Sequence, residues 1–563
     1  MRHPFRTAVL ALLILLPAAA TPAHAAGGMV SAADPRAAEA GRNILREGGS
    51  AADAAIAMML ALTVVEPQSS GIGGGGFLLH HDARTGTIGS VDGREAAPAS
   101  AGPDRFLGAD GRPMPFMSAW PGGYSVGVPG NIRLAARVHA RWGRLPWKAL
   151  FAPAITLAEE GFKVTPRLNR AIANTSKYTN WQDFPAIAAL YLKDGEPAAV
   201  GTLIRNPALA KTLRTLADEG PDPFYTGEIA RQITDAVATT TRNPTALTAA
   251  DLAAYQAKDR PPVCGKYRAY KVCSMGPPSS GALTMLEILG LLERFDIRKL
   301  GKDNPVAWHL IAEAMQLAYA DREMWMADAD FVKVPVAGLI DPAYLAARSR
   351  LISPTHAAAK YPAGNPKGAE PRTASPETEP AGTTHFVAVD GEGDVATMTS
   401  TVESGFGSQL VAGGFVLNNE LTDFSFAPEK DGAPVANRVG PGKRPMSAMT
   451  PTIVYDASGK PVFTVGAAGG QTIIMQVTKA VIAHLDWGLS AEEAVALPAL
   501  FRAAPAVALE DGTAIVAMKP ALEKLGHTVV LGKNALKANA AERTADGWIG
   551  AADPRSEGVW LKE

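Results

Sequence analysis

Thr383-Thr384-His385-Phe386-Val387-Ala388-Val389 alternates like a strand, Asp390-Gly391-Glu392-Gly393 turns, and Asp394-Val395-Ala396-Thr397-Met398-Thr399-Ser400-Thr401 returns. The pattern predicts a β-hairpin. Immediately before it, from Ser353 to Gly382, the chain is rich in Pro, Ala, Glu, Gly and Thr and nearly lacks large apolar side chains. Such a segment buries too little surface to offset its ordering entropy, so a mobile surface linker (353–382) is expected to run straight into a core strand. That junction suits one chemistry. A Thr hydroxyl is a weak nucleophile, but a cut in the peptide bond before it frees an α-amine to act as the base beside it. An ordinary loop entering a strand has the same spacing, so other residues must decide.

Nearer the N-terminus, Pro35 to Glu66 is helical: Ala37, Ala40, Ile44 and Leu45 recur at three-to-four spacing, Gly48-Gly49 stops the first helix, and a second runs from about Ala51 to Val65. Gly71-Ile72-Gly73-Gly74-Gly75-Gly76 then leads into the strand Phe77-Leu78-Leu79-His80-His81. This glycine run matches the dinucleotide fingerprint formally, but a phosphate site needs strand, glycine turn, then helix, and here the order is inverted. Close backbone approach is the better reason for the glycines. The middle, about 130 to 350, reads as mostly helical, with turns at Trp142-Gly143-Arg144-Leu145-Pro146 and Pro277-Pro278-Ser279-Ser280-Gly281.

Charge excludes one class of partner. Lys plus Arg (54) against Asp plus Glu (55) leaves −1 with no basic block, which argues against nucleic acid or an anionic membrane. With 47% hydrophobic and 19% charged residues, the 563-residue chain can bury a large core. Length alone sets a soft prior of about three or four domains and leaves one large α/β unit open. The N-terminus has Arg2 and Arg6, an apolar run from Ala8 to Ala20 broken by Pro17, then Ala23-His24-Ala25. This reads as a signal peptide over 1–25 rather than a membrane anchor, which needs about 18 to 20 continuous apolar residues. A periplasmic or secreted protein follows. In an oxidising compartment Cys264 and Cys273, in two short strands around a turn, could form a cross-strand disulfide or remain buried thiols. Metal binding is not expected: the ten His are scattered, and His80 and His81 point to opposite faces of a strand.

Several separated motifs then bear on the Thr383 junction. Thr383-Thr384-His385, Thr399-Ser400-Thr401, Leu417 to Ser425, Lys443-Arg444-Pro445-Met446-Ser447 and Gly469-Gly470 resemble the small-subunit signature of γ-glutamyltranspeptidases. Upstream, the run Gly41 to Phe77, Asp92-Gly93-Arg94-Glu95-Ala96-Ala97-Pro98, Val126 to Gly130 and Tyr319-Ala320-Asp321-Arg322 resemble the large subunit, in the same order. The resemblance implies an α+β, four-layer αββα N-terminal-nucleophile hydrolase that cleaves itself between Gly382 and Thr383. A large subunit (26–382) and a small catalytic subunit (383–563) would form one intertwined domain.

The same resemblance assigns roles. Thr383 would be the nucleophile, Thr401 would hold its hydroxyl, and Gly469-Gly470 would form the oxyanion hole, where backbone N–H groups face the developing charge. Arg94 would receive the α-carboxylate of a γ-glutamyl group through paired hydrogen bonds. Glu420 and Asp423 would face its α-ammonium, and Ser447 would add a bond to the carboxylate. Two positions depart from the family pattern. Ala448 stands where a second serine is usual, which removes a donor from the carboxylate pocket. Glu403 stands where Asn is common, which adds negative charge near the ammonium site. The segment from Asp423 to Ser447 is also shorter than in members that carry a lid.

The activity implied is transfer of a γ-glutamyl group from glutathione-like amides, through an acyl-enzyme on Thr383, to water or an amine acceptor, with no cofactor. The alternatives are an acylase with another side-chain preference, such as glutaryl β-lactam precursors, and a non-catalytic binding protein keeping the Arg94 pocket.

Overall fold

The computed structural model describes residues 27–374, 382–502, 506–533 and 536–563. The expected signal peptide therefore lies outside the described residues. Two large sheets are built from β1 (Met29–Ala32), β2 (Gly75–Asp82), β3 (Thr87–Asp92), β4 (Lys258–Arg260), β5 (Val263–Tyr267), β6 (Tyr270–Ser274), β7 (Thr383–Val389), β8 (Val395–Thr401), β9 (Thr452–Tyr455), β10 (Pro461–Ala468), β11 (Lys537–Thr544), β12 (Gly547–Ala552) and β13 (Val559–Lys562). The first sheet runs β13-β1-β7-β8-β2-β3-β4 and the second β12-β11-β10-β9-β6-β5. Each sheet draws strands from both sides of residue 383.

The hairpin β7–β8 shows why there are four layers. Every residue of both strands is buried. Val387, Val389 and Val395 join one apolar cluster with Phe463 and Val465 of the second sheet, whereas Phe386, Ala388, Ala396 and Met398 join another with helix α1 (Pro35–Arg46) and helix α2 (Ala51–Val65). A strand alternates its faces, so a hairpin buried on both must be sandwiched between a sheet and a helical layer. Helices α3 (Gly281–Leu292), α4 (Pro305–Trp325) and α5 (Thr472–Leu485) supply the layer on the second sheet. Helix α2 is buried along its whole length, and its Ser50–Asp53 capping box fixes the start.

The two thiols stand opposite each other in the β5–β6 ladder and form a disulfide, Cys264–Cys273. The linker expectation needs correction for residues 353–374, which are tied down. Ser353 O accepts from His309 Nε2 (2.7 Å), and the Ala358 N–H (2.9 Å) and Tyr361 hydroxyl (2.6 Å) both donate to Glu313. The Gly364 N–H donates to Asp321, and Arg372 donates to Lys333 O. Composition missed this because the segment is held largely by polar partners, chiefly His309, Glu313 and Asp321 of α4, with the buried Tyr361 ring as its main apolar anchor. The remainder, 375–381, lies outside the described residues.

Candidate active site

Residues Gly71–Gly76 form the crossing from α2 into β2, and β2 pairs with β8 so that Gly75 lies opposite Thr401. A Cβ on Gly74 would come within 1.9 Å of the Thr401 carbonyl oxygen, which is why the run carries no side chains there. On the other side of β8, Thr401 lies opposite Thr383. Their Oγ atoms are 3.2 Å apart, Thr401 Oγ1 donates to Gly382 O at 2.8 Å, and the Glu403 N–H donates to Thr401 Oγ1 at 2.8 Å. A hydroxyl has one proton. With that proton on the Gly382 carbonyl, the Thr383 O–H must donate to Thr401, leaving the Thr383 lone pairs for chemistry. Thr383 is buried, only 6% exposed.

His385, two residues on and therefore on the same face, accepts or donates to Thr399 Oγ1 (2.8 Å) and Thr397 Oγ1 (3.1 Å). Burial pushes its imidazole down to about 3, so it is neutral. Gly466 of β10 lies against this ring, where a Cβ would be 2.2 Å from it. Strand β10 thus packs face to face on β7 before ending in Gly469-Gly470. Both of those glycines have positive φ, 132° and 57°, at the entry to α5. The turn is held by Tyr319, whose hydroxyl donates to Gln471 O (2.7 Å), and by Gln476 Nε2, which donates to Ala468 O (2.7 Å).

The second cluster starts at Arg94, just after β3. Its guanidinium is 1% exposed and makes ion pairs with Glu420 and Asp423, while Nε donates to Pro445 O (3.2 Å) and Nη2 to Met446 O (2.7 Å). Glu420 and Asp423 sit at i and i+3 of a single 3₁₀ turn, which aligns them on one side. Asn418 braces that turn by accepting from the Glu420 N–H (3.0 Å) and the Gly127 N–H (2.9 Å). Burial opposes the Arg94 charge, but Glu420, Asp423 and Glu95 around it hold the guanidinium firmly protonated. Burial pushes Asp423 up to about 6 against the pull of Arg94, and its carboxyl meets that of Glu403. Burial likewise pushes Glu95 up to about 7, with Arg94 pulling the other way and Glu420 beside it.

Glu403 joins the two clusters, its N–H on Thr401 and its side chain on Asp423. Ser447 lies next to Met446. Its N–H donates to Pro278 O and its hydroxyl accepts from the Met449 N–H (3.1 Å), which leaves the hydroxyl proton to give. Ser280, itself held by Arg322 Nε (2.8 Å), donates to Ser447 O (2.7 Å). The sequence reading did not anticipate the supporting roles of Glu95, Tyr319, Gln476 or Asn418. Only proximity in the motifs Asp92–Pro98, Leu417–Ser425 and Tyr319–Arg322 pointed toward three of them. It also missed Lys537, which pairs with Ala468 in the ladder and whose ammonium meets Glu66 at 2.7 Å. Glu66 in turn faces Thr384.

Distant residues His309, Glu313 and His527 also converge, which scattered histidines did not suggest. Arg502 donates to His527 Nδ1 (3.1 Å), so His527 Nε2–H donates to His309 Nδ1 (2.7 Å) and His309 Nε2–H to Ser353 O. Both imidazole lone pairs are used, so this relay braces the start of the 353–374 segment and offers a cation no nitrogen.

Two facing sheets between helical layers, with a strand that opens on Thr383, are the architecture of an N-terminal-nucleophile hydrolase. The chain belongs to the gamma-glutamyltranspeptidase family, whose profile matches residues 37–562. It is 38% identical over 483 residues to the glutathione hydrolase proenzyme of Bacillus subtilis (strain 168), covering 84% of this chain and 80% of the relative. It is 37% identical over 551 residues to that of Escherichia coli (strain K12), covering 95% and 91%. Among solved structures, cephalosporin acylase from Bacillus halodurans superimposes with a TM-score of 0.84 at 28% identity, over 98% of this chain and 99% of that one. Among the described residues no helix is long and apolar enough to cross a membrane.

Proposed function

We propose that this enzyme is made as a precursor, cuts itself between Gly382 and Thr383, and then transfers a γ-glutamyl group from glutathione-like amides to water or an amine. The observation that carries the reading is the Thr383–Thr401–Gly382 arrangement: a nucleophilic hydroxyl aligned by a second one that also polarises the carbonyl preceding it. In the self-cleavage, Thr383 Oγ attacks the Gly382 carbonyl carbon. The C–N bond breaks, the proton passes to the Thr383 nitrogen, and the resulting ester is hydrolysed to free Thr383 as an amino terminus. In turnover that amine takes the Thr383 hydroxyl proton as Oγ attacks the γ-amide, and Gly469-Gly470 face the oxyanion. As the oxyanion collapses the γ-amide C–N bond breaks, the departing amine takes the proton from the Thr383 ammonium, and the acyl group held on Thr383 Oγ is then transferred to water or an acceptor amine. An exported location, periplasmic or secreted, is supported by the N-terminal segment and agrees with the disulfide.

An acylase reading keeps the same chemistry with a different acyl group, and the fold likeness to a cephalosporin acylase favours testing it. Assay γ-glutamyl and glutaryl anilides with and without a dipeptide acceptor. Cleavage of the γ-glutamyl anilide is expected. Turnover of the glutaryl compound alone would replace this reading with the acylase.

A further inference from the structure

The second sheet ends at β5, and among the described residues no strand pairs with the outer side of it. Cys264 and Cys273 stand opposite each other with Cα atoms 4.1 Å apart, the close spacing of a non-hydrogen-bonded antiparallel pair. Gly265 therefore turns its backbone groups toward β6, and the N–H and C=O of Cys264 and Lys266 point outward. No hydrogen bond among the described residues reaches those four groups. Against this edge lies a cavity of about 580 Å³, between β5, α3 and the helix Pro342–Ser349. Its floor is apolar, with Leu286, Ile340 and Leu345. A Cβ on Gly265 would come within 2.8 Å of Leu286, so the glycine brings that floor right up to the strand. The rim is cationic. Lys266 and Arg350 make no ion pair among the described residues, and Arg294 donates only to Ser349 and the carbonyl of Ile352. One acid lines the cavity, Glu293, and Arg268 already pairs with it.

We infer that the outer side of β5 is a docking site for an extended acidic peptide, which adds to this six-stranded sheet as a further strand. The outward groups of Cys264 and Lys266 pair with its backbone. The residue opposite Gly265 projects to the same face as Gly265, onto Leu286 and Leu345, and is apolar. Its neighbours carry negative charge, because Lys266, Arg294 and Arg350 bring three cations to the rim with no carboxylate on them. A second copy of this chain is a poor occupant. Antiparallel self-pairing would lay Lys266, Arg294 and Arg350 against their own copies, and like charges across an edge repel. A fatty acid would use the floor and the rim but leave the outward backbone groups unpaired. The surface is separate from Thr383: β6 and β9 stand between β5 and β10, the strand that packs on β7. Docking there is read independently of turnover.

The test follows the fluorescence anisotropy of a fluorescein-labelled Glu-Leu-Glu-Val-Glu peptide titrated with the purified protein, with Lys-Leu-Lys-Val-Lys as the control. The acidic peptide should bind with a dissociation constant of about 100 μM or tighter, and the basic one at least about 10-fold more weakly. Lys266→Pro removes one outward N–H while sparing the bonds to β6, and should cut affinity by about 10-fold or more with an unchanged thermal melt. Two exposed rim variants keep the test open if the proline variant misfolds. Arg350→Glu should weaken binding about 10-fold, and Ala346→Trp, which fills the groove, should abolish it. No binding of the acidic peptide up to about 1 mM, equal binding of both peptides, or an affinity unmoved by the folded variants would overturn the inference. Binding of dodecanoate together with a peptide affinity untouched by Lys266→Pro would make the cavity a site for amphipathic anions instead. A dimer in sedimentation that Lys266→Pro dissociates would make a second copy the occupant, and would equally overturn the proposal.

Discussion

Replacing Thr401 with Val tests the geometry most sharply, because it keeps the shape of the side chain and deletes only the hydroxyl. That oxygen serves three groups: it donates to Gly382 O at 2.8 Å and accepts from Thr383 Oγ1 and the Glu403 N–H. Each buried polar group left without a partner costs about 1–3 kcal/mol. Losing all three therefore removes a sizeable part of a stability of about 5–15 kcal/mol, and folding must be checked by a thermal melt. The chemical effect is separable. In the proposed self-cleavage the Thr401 hydroxyl, through its bond to Gly382 O, stabilises charge as the Thr383 hydroxyl attacks, and one such donor is worth about 10²- to 10³-fold in rate, or roughly 2.7–4 kcal/mol. Self-cleavage of folded Thr401→Val, followed on denaturing gels, should slow by that factor. Thr401→Ser keeps the hydroxyl, loses a methyl, and should stay within about 10-fold of wild type. Wild-type cleavage by folded Thr401→Val, or equal slowing by the Ser variant, would rule out that role for the hydroxyl.

Other outcomes follow from the same geometry. Gly469→Ala forces a side chain onto a φ of 132°, which L-residues rarely adopt, so kcat on a γ-glutamyl anilide should drop about 100-fold or more with KM little changed. L-Glutamate, the expected hydrolysis product, should inhibit more tightly as pH rises through about 6 and 7, because its ammonium prefers Asp423 and Glu95 ionised. An inhibition constant flat over that range would contradict this. The same raised values have the opposite sign for the empty fold. Between the ordinary carboxylate range and about 7 the folded state holds protons the unfolded state has released, so this contribution to stability is lost as pH rises. Lys537→Met leaves buried Glu66 with only the more distant Arg167 guanidinium (3.5 Å) as a counterion and should destabilise by about 1–3 kcal/mol in a melt, with Glu66→Gln added to it recovering part of the loss.

Part of the local structure around the candidate site was legible in the chain because it is built from neighbours in sequence. The hairpin could be read from alternation across Thr383–Thr401, whereas Glu420 and Asp423 were reached only through the family resemblance, and the structure adds that they share one 3₁₀ turn. What was hidden depends on distance in sequence. Lys537 and Glu66 are 471 residues apart, and nothing in either neighbourhood announces a buried ion pair. The engagement of Arg94 by Glu420 and Asp423 was likewise out of reach. The family resemblance suggested a zwitterion-binding set, and the structure adds that Arg94 pairs directly with Glu420 and Asp423. The 353–374 segment misled for a related reason: composition reports apolar content, not polar partners waiting on α4.

The proposed chemistry depends on Thr383 becoming an amino terminus. Purified enzyme run on a denaturing gel, with the smaller band sequenced from its N-terminus, reads this out. Two chains are expected, the smaller one beginning Thr-Thr-His-Phe and spanning 383–563, and a single uncut chain is expected for Thr383→Ala. Wild-type protein that stays in one piece after prolonged incubation, or is cut at another bond, would show that Thr383 is not the nucleophile.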